Sequence, residues 1–295
     1  MKFDRSLEAP YGVEMRLSWR VARLLAPNPG PFTFKGTGVH ILGVGARVMV
    51  IDPGPALPEH IEALKKALGS RGVSHILITH THRDHSPAAA ALKAWSGAKT
   101  YGVALASRSV PADADEGTVD EAHDHDFVPD VKVHDGMRIY GDGFQLECLA
   151  TPGHTANHIC YALVEERALF SGDHVMGWST SVIAPPDGDM GDYLASLERL
   201  KARNDLIFYP THGSPIVHPQ DWTAQLIAHR QMREDQIRTA LARRAQSVTE
   251  LVGELYPRIE PGLRPAAAQQ TLAHLRHMQS RGEAAPGDGL WFAKI

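Results

Sequence analysis

His80-Thr81-His82-Arg83-Asp84-His85 follows directly on the apolar run Val73-Ser74-His75-Ile76-Leu77-Ile78-Thr79. That run is short and rich in β-branched residues, which predicts a buried strand. The end of a strand is where a rigid scaffold best presents side chains to a site. His80 and His82 are two apart, so in an extended turn both can face one point. Asp84 and His85 follow as the chain turns into the next helix and can reach a second point a few ångströms away. Three imidazoles and a carboxylate in six residues form the donor set of a metal centre, because imidazole is the commonest metal ligand.

Three further segments end an apolar stretch on a ligand-type side chain. They are Thr151-Pro152-Gly153-His154-Thr155, Ser171-Gly172-Asp173-His174 and Pro210-Thr211-His212-Gly213. Each by itself is an ordinary turn. Their glycines let the backbone come close to a site and fix the direction of the neighbouring side chain. Taken with the first motif, they make His80, His82, Asp84, His85, His154, Asp173 and His212 the candidate metal-facing residues. His158 and His174 stand nearby and are candidates to line a substrate cleft, with a place in the core as the alternative. His123-Asp124-His125-Asp126 also resembles a metal motif. It lies in the acidic stretch Pro111 to Asp130, a polar loop with no scaffold to converge its side chains, and is expected to be solvated surface.

Outward from the motifs, Val39 to Asp52 reads as a hairpin turning at Gly43-Val44-Gly45, and Pro58 to Leu68 as a helix. Ser86 to Trp95 reads as an alanine-rich helix with Ser86 as cap and Pro87 in the first turn. Phe144 to Ala150, His158 to Val164, Ala168 to Ser171 and Leu206 to Tyr209 are strand candidates. Asp189 to Ala202 has the apolar spacing of an amphipathic helix. Hairpins first, then strands interleaved with helices, suit two sheets between outer helices better than a doubly wound parallel sheet. From Trp222 the character changes: a long helical pattern to Ala245, a capping box at Ser247-Val-Thr-Glu250, a helix over Pro265 to Ser280 and a closing β-element describe a winged helix. The expected domains are residues 1–221 and 222–295.

Of the 295 residues, 43% are hydrophobic and 22% charged, enough for a substantial core without disulfides. Cys148 and Cys160, neither in a Cys-x-x-Cys pair, read as buried thiols of a reducing compartment. No run approaches the roughly 18 apolar residues that span a bilayer, and Met1 to Arg20 lacks a signal-peptide core. A cytoplasmic location is expected, with no membrane partner. The net charge of −4 argues against wholesale coating of nucleic acid, yet Trp222 to Ile295 holds ten Lys/Arg against seven Asp/Glu, a local +3. The 17 histidines strengthen the case for metal chemistry.

The order His80-x-His82-x-Asp84-His85, His154, Asp173, His212 resembles the metal motifs of the metallo-β-lactamase superfamily, and Val50-Ile51-Asp52-x-Gly54 looks like its early strand. The likeness implies an αββα sandwich with the site at one edge. It implies that His80, His82 and His154 hold a first divalent metal, that Asp84, His85 and His212 hold a second, and that Asp173 bridges them. Zinc is expected, although such ligands also suit manganese or iron. A hydroxide shared by two metals would attack a carbonyl carbon or a phosphorus, with Asp84 as its proton acceptor.

A ligand set without cysteine argues against a secreted β-lactamase. The interval of 39 positions from Asp173 to His212 leaves no room for the large insert of a β-CASP nuclease. An iron-dependent persulfide dioxygenase would use fewer of these ligands and need no winged helix. His229-Arg230-x-x-Arg233-Glu234-Asp235-Gln236-Ile237 and the winged helix resemble the lactamase-like endoribonuclease group, which implies cleavage of single-stranded RNA as the first reading, with a thioesterase as the alternative. Arg230, Arg233 and Arg238 would then meet phosphates or form a solvated helix face. Thr151-Pro-Gly-His154-Thr-x-x-His158-Ile-Cys-Tyr161 is similar to glyoxalase II, which implies a small thioester substrate. A metal- or RNA-binding scaffold without turnover is the third reading, disfavoured by the complete ligand set. A homo-oligomer stays open.

Overall fold

The structure is a computed structural model that describes residues 1–105 and 123–294. Most of the predicted acidic loop Pro111 to Asp130 lies outside the described residues. The first sheet contains β1 (Glu14–Arg16), β2 (Val21–Leu25), β3 (Gly38–Leu42), β4 (Arg47–Ile51), β5 (Gly72–Leu77), β6 (Lys99–Gly102) and β7 (Val131–Lys132), hydrogen-bonded in that order. β1 to β4 are antiparallel, and β4 to β7 are parallel. The second sheet contains β8 (Arg138–Tyr140), β9 (Gln145–Ala150), β10 (Ile159–Leu163), β11 (Ala168–Gly172) and β12 (Ile207–Pro210). Its first four strands are antiparallel, and β12 joins β11 in parallel.

The period-two alternation of the strands builds the layers. In β4, Val48 and Val50 pack with Leu64 and Leu68 of α1 (Pro58–Leu68) and with Ala89 and Leu92 of α2 (Ala88–Ser96). Met49 and Ile51, from the same strand, face the second sheet and meet Leu146, Tyr161 and Phe170. Beyond that sheet, Cys160, Ala162 and Leu169 pack with Tyr193 and Leu197 of α3 (Met190–Lys201). The result is the expected αββα sandwich.

Asp189 caps α3 by accepting from the Asp192 N–H. For α2 the expectation about Ser86 is corrected: Pro87 is its N-cap, without a side-chain cap bond, and the Ser86 hydroxyl donates to Asp124 Oδ2 at 2.8 Å. The strands β1, β2 and β6 to β8 were not anticipated.

The C-terminal part comprises α4 (Pro219–Arg243), α5 (Val248–Leu255), α6 (Arg264–Ser280) and a hairpin of β13 (Ala284–Gly287) and β14 (Leu290–Ala293). Ser247 and Glu250 form the predicted capping box of α5. Leu226 and Ile227 of α4 pack into the core beneath α3, whereas Ile237 and Leu241 join Leu251, Leu275, Met278 and Trp291 in a core of their own. Among the described residues, no helix is long and apolar enough to cross a membrane.

Candidate metal centre

Within the first sheet β4 and β5 run parallel, and within the second β9, β11 and β12 share a direction. The loops leaving the C-terminal ends of these strands carry Asp52, His80 to His85, His154, Asp173 and His212, and they meet at one rim. Three groups of ligand atoms converge there, each with its members within 4.8 Å of one another: His80, His82 and His154; His80, His85 and Asp173; Asp84, His85 and His212. His80 Nε2 is 2.8 Å from His82 Nδ1. On the other side, His212 Nε2 is 2.9 Å from Asp84 Oδ2 and 3.4 Å from Asp173 Oδ2. His85 Nε2 is 3.3 Å and 3.6 Å from the same two oxygens. All seven predicted metal-facing residues are therefore brought together.

The outer nitrogens of these imidazoles are held from behind, which sets the tautomers. Thr79 gives its one hydroxyl proton to Asp52 Oδ2 at 2.7 Å, so it accepts from His80 Nδ1 at 3.0 Å. His85 Nδ1 donates to Asp52 Oδ2 at 2.9 Å, His154 Nδ1 to the Val182 carbonyl at 2.6 Å, and His212 Nδ1 to the Gly36 carbonyl at 3.0 Å. Each donation leaves an Nε2 lone pair for the centre. Neutral imidazoles aimed inward, with two carboxylates among them, fit divalent cations.

Electrostatics divide the cluster. Burial disfavours the imidazolium forms of His80 and His82, and the surrounding imidazoles reinforce this, so both lie well below the usual histidine range. Burial also penalises the Asp84 and Asp173 anions, but His85 and His212 outweigh it and hold both carboxyls low. For His85 and His212 burial is in turn outweighed by those carboxylates: His85 is raised and His212 is pushed up to about 10. This half of the cluster attracts positive charge. A divalent cation would replace the protons on His85 and His212.

Several supporting residues escaped the sequence reading. Asp52, noticed only as part of a strand pattern, is fully buried with a φ of 48°. Its carboxylate accepts from the Thr79 N–H at 2.8 Å, the Thr79 hydroxyl, His85 and the Thr211 hydroxyl at 3.0 Å. Arg23 of β2, 4% exposed, donates to the Gly213 carbonyl at 2.7 Å and so secures the His212 loop. Asn157 ties Thr81 to Val103 through its amide, at 2.9 and 3.0 Å. Gly153, with φ 135°, lies so close to α3 that an added Cβ would fall 2.3 Å from the Tyr193 Cα. Only glycine fits there.

The reading of His123 to Asp126 as solvated surface is corrected for its first half. His123 forms a β-bridge with His82, its ring 4.7 Å from the His82 ring, and its Nε2 lies 3.5 Å from Asp187. The Asp124 N–H donates to the Thr81 carbonyl. That backbone pairing is the scaffold a polar loop appeared to lack; His125 and Asp126 remain exposed. His158 and His174 are 1% and 0% exposed. His158 bonds Thr151 through Nδ1 at 2.9 Å, and His174 packs on Tyr193, so both lie behind the centre.

A four-layer sandwich with a histidine and aspartate cluster on one rim defines a class of metal-dependent hydrolase folds. Residues 37–212 match the Metallo-beta-lactamase superfamily and residues 247–291 the Beta-lactamase associated winged helix domain, so the chain belongs to that superfamily. It is 38% identical over 230 residues to a Beta-lactamase-like protein 2 homolog of Caenorhabditis elegans, covering 75% of this chain and 71% of that protein. A lactamase-like protein of Aspergillus niger is 33% identical over 295 residues, covering 92% and 86%. An atrochrysone carboxyl ACP thioesterase of Paecilomyces divaricatus is 33% identical over 230 residues, covering 77% and 66%. A metallo-beta-lactamase family protein of Thermus thermophilus shares the fold with a TM-score of 0.77 at 24% identity, covering 95% of this chain and all of the other. A beta-lactamase domain protein of Burkholderia ambifaria does so at 0.82 and 20%, covering 99% and 96%.

Proposed function

We propose that the chain hydrolyses acyl thioesters at a pair of divalent cations, His80, His82 and His154 holding one, Asp84, His85 and His212 the other, and Asp173 both. When bound, the cations lower the pKa of water and offset the negative charge that develops on the substrate oxygen. In the reaction, the oxygen of water bonds to the carbonyl carbon and the carbon–sulfur bond breaks to release a thiol. The Asp84 side chain is 25% exposed and Asp173's 10%, so Asp84 is the carboxylate better placed to take a proton from the incoming water. Beside His212, Phe34 and Trp178 stack with ring centroids 4.9 Å apart, and the Trp178 ring lies against Gly213. Trp178 is buried, and the partly exposed Phe34 ring stacked on it is an apolar contact for one arm of a thioester. His158 and His174, buried behind the ligands, support the centre more readily than they touch substrate.

The observation that carries the choice of substrate is the fate of six of the nine C-terminal arginines, the other three, Arg258, Arg264 and Arg276, being exposed. Arg238 pairs with Asp235 and Glu283, Arg243 with Glu254, Arg244 with Glu250, and Arg281 with Glu234 and Glu283. Arg233 stacks on Tyr256 at 4.5 Å, and Arg230 is buried. Cations already compensated within the protein add little to binding a phosphate backbone, whose affinity comes from neutralising phosphates. The relatives named as thioesterases support the same reading. Cleavage of single-stranded RNA is the second reading, favoured by the attached winged helix.

The deciding experiment assays the metal-analysed protein on S-lactoylglutathione, an acyl-coenzyme A and single-stranded RNA, with an Asp84→Ala, His85→Ala double variant as control. Thioester turnover that falls on the order of 10³-fold in the double variant, the several kcal/mol a metal supplies, is the expected result. RNA cleavage lost in the same variant, without thioester turnover, would replace this reading by the second.

A further inference from the structure

Two residues of the C-terminal part reach across to the loop that steadies His154. Arg230 of α4 is 2% exposed, and its Nη2 donates to the Ser181 carbonyl at 2.6 Å. Gln270 of α6 accepts the Ile183 N–H at 3.2 Å. Between these anchors lies Val182, whose carbonyl accepts His154 Nδ1 at 2.6 Å. Ser181 also works in the opposite direction, its hydroxyl lying 2.6 Å from the Asp173 carbonyl and 2.9 Å from that of His174. One short segment thus holds ligands of both metal positions, and helices outside the sandwich hold the segment.

The cost of the arrangement is informative. A guanidinium taken out of water is expensive, and an apolar side chain of similar volume is often as stable or more so. Among the described residues Arg230 makes this one hydrogen bond and leaves its Nε buried without a partner, and it recovers part of the cost over the Tyr193 ring at 5.2 Å. Stability alone does not account for such a residue. Holding the Ser181 carbonyl does.

We propose that Arg230, together with Gln270, is a positioning residue for the metal centre, fixing residues 181–183 so that Val182 orients His154 and Ser181 orients the Asp173 loop. The inference rests on the metal reading of the site and makes the winged-helix part a brace for catalysis. It is tested in the full-length chain with Arg230→Met, Arg230→Lys and Gln270→Met. Zinc affinity is measured by competition with a chromogenic chelator, the visible spectrum is recorded with cobalt(II) in place of zinc, and circular dichroism checks the fold. Folded Arg230→Met should bind zinc about tenfold more weakly, the low end of the loss expected for a residue behind a ligand, with an altered cobalt spectrum. Arg230→Lys should recover part of both, because an ammonium can still donate to Ser181. A folded Arg230→Met with the affinity and spectrum of the parent overturns the proposal. If Arg230→Met does not fold, Gln270→Met decides in the same way. A parent protein that takes up no zinc or cobalt removes the metal reading and this proposal together, whereas equal binding by parent and variants removes the proposal alone.

Discussion

The two halves of the proposed metal centre are built by opposite means. His80, His82, Asp84 and His85 come from one loop, so chain connectivity already brings them within reach of one another. His154, Asp173 and His212 come from three loops, each held by a bond to a distant part of the chain. Arg23 reaches Gly213 across 190 positions of sequence, the Gly36 carbonyl reaches His212 across 176, and Arg230 reaches Ser181 across 49. The contiguous half starts from one strand and takes Asp52 as its main outside support. The assembled half needs the finished fold, and its geometry is only as good as the residues behind it.

Asp52 is where the halves join, since it binds Thr79 and His85 on one side and Thr211 on the other. The largest effect is therefore expected from Asp52→Ala. It strips the acceptor from the Thr79 N–H, two hydroxyls and one imidazole, all buried. At about 1–3 kcal/mol for each unsatisfied group, the loss should exceed roughly 4 kcal/mol, accompanied by loss of metal from both positions. Urea denaturation and zinc analysis of the variant measure both. A destabilisation below about 1 kcal/mol would show that the halves are joined elsewhere.

This asymmetry also decides what the sequence could reveal. Contiguous ligands form a motif, and the remaining three were visible because each ends an apolar strand beside a tight turn. The residues behind them carry no such sign. Arg23 sits inside Val21–Leu25, a strand buried along its length, yet an arginine there reads as surface. Arg230 and Gln270 belong to helices whose polar residues look solvated. The strands β1, β6, β7 and β8 have two to four residues each, too short to display a period. His123 and Asp124 were set aside because local sequence does not show a backbone bridge to a loop about forty residues earlier, as the pairing of His123 with His82 shows. Layers and ligands are written locally; the braces are tertiary.

Arg23→Met should then separate positioning from stability. Methionine fills much of the same space without a buried charge, so the cost of leaving the Gly213 carbonyl unmatched is offset and stability should change by less than about 2 kcal/mol. The His212 loop nevertheless loses its anchor. Affinity for the second of the proposed metals should fall about tenfold, as for other residues behind a ligand. Stepwise metal titration by calorimetry, beside a urea curve, reads both quantities. Unchanged affinity at the second position would mean that the Gly36 carbonyl suffices to hold His212.

The effect narrowest in its conditions, confined to acid pH, is expected from a residue that pairs with Arg23 across β2 and β3 and faces no metal. His40 of β3 is 1% exposed, packs on Phe170 and Tyr209, and has no partner for its Nε2 among the described residues. Burial, reinforced by the Arg23 charge, lowers its pKa from 6.5 to about 3. The folded chain thus keeps His40 neutral while the unfolded chain protonates it. Its contribution to stability is complete above pH 6.5 and is lost as the pH falls from there towards 3. In that window the unfolded state binds up to one more proton than the folded state through this residue, a slope of at most about 1.4 kcal/mol per pH unit. His40→Phe should flatten the dependence of the urea-derived stability on pH by up to that amount. Arg23→Met should flatten it less, because burial, the larger cause, stays in place. A slope unchanged by His40→Phe would show that His40 takes up its proton equally in both states, and that Arg23 exerts no charge on the strand beside it.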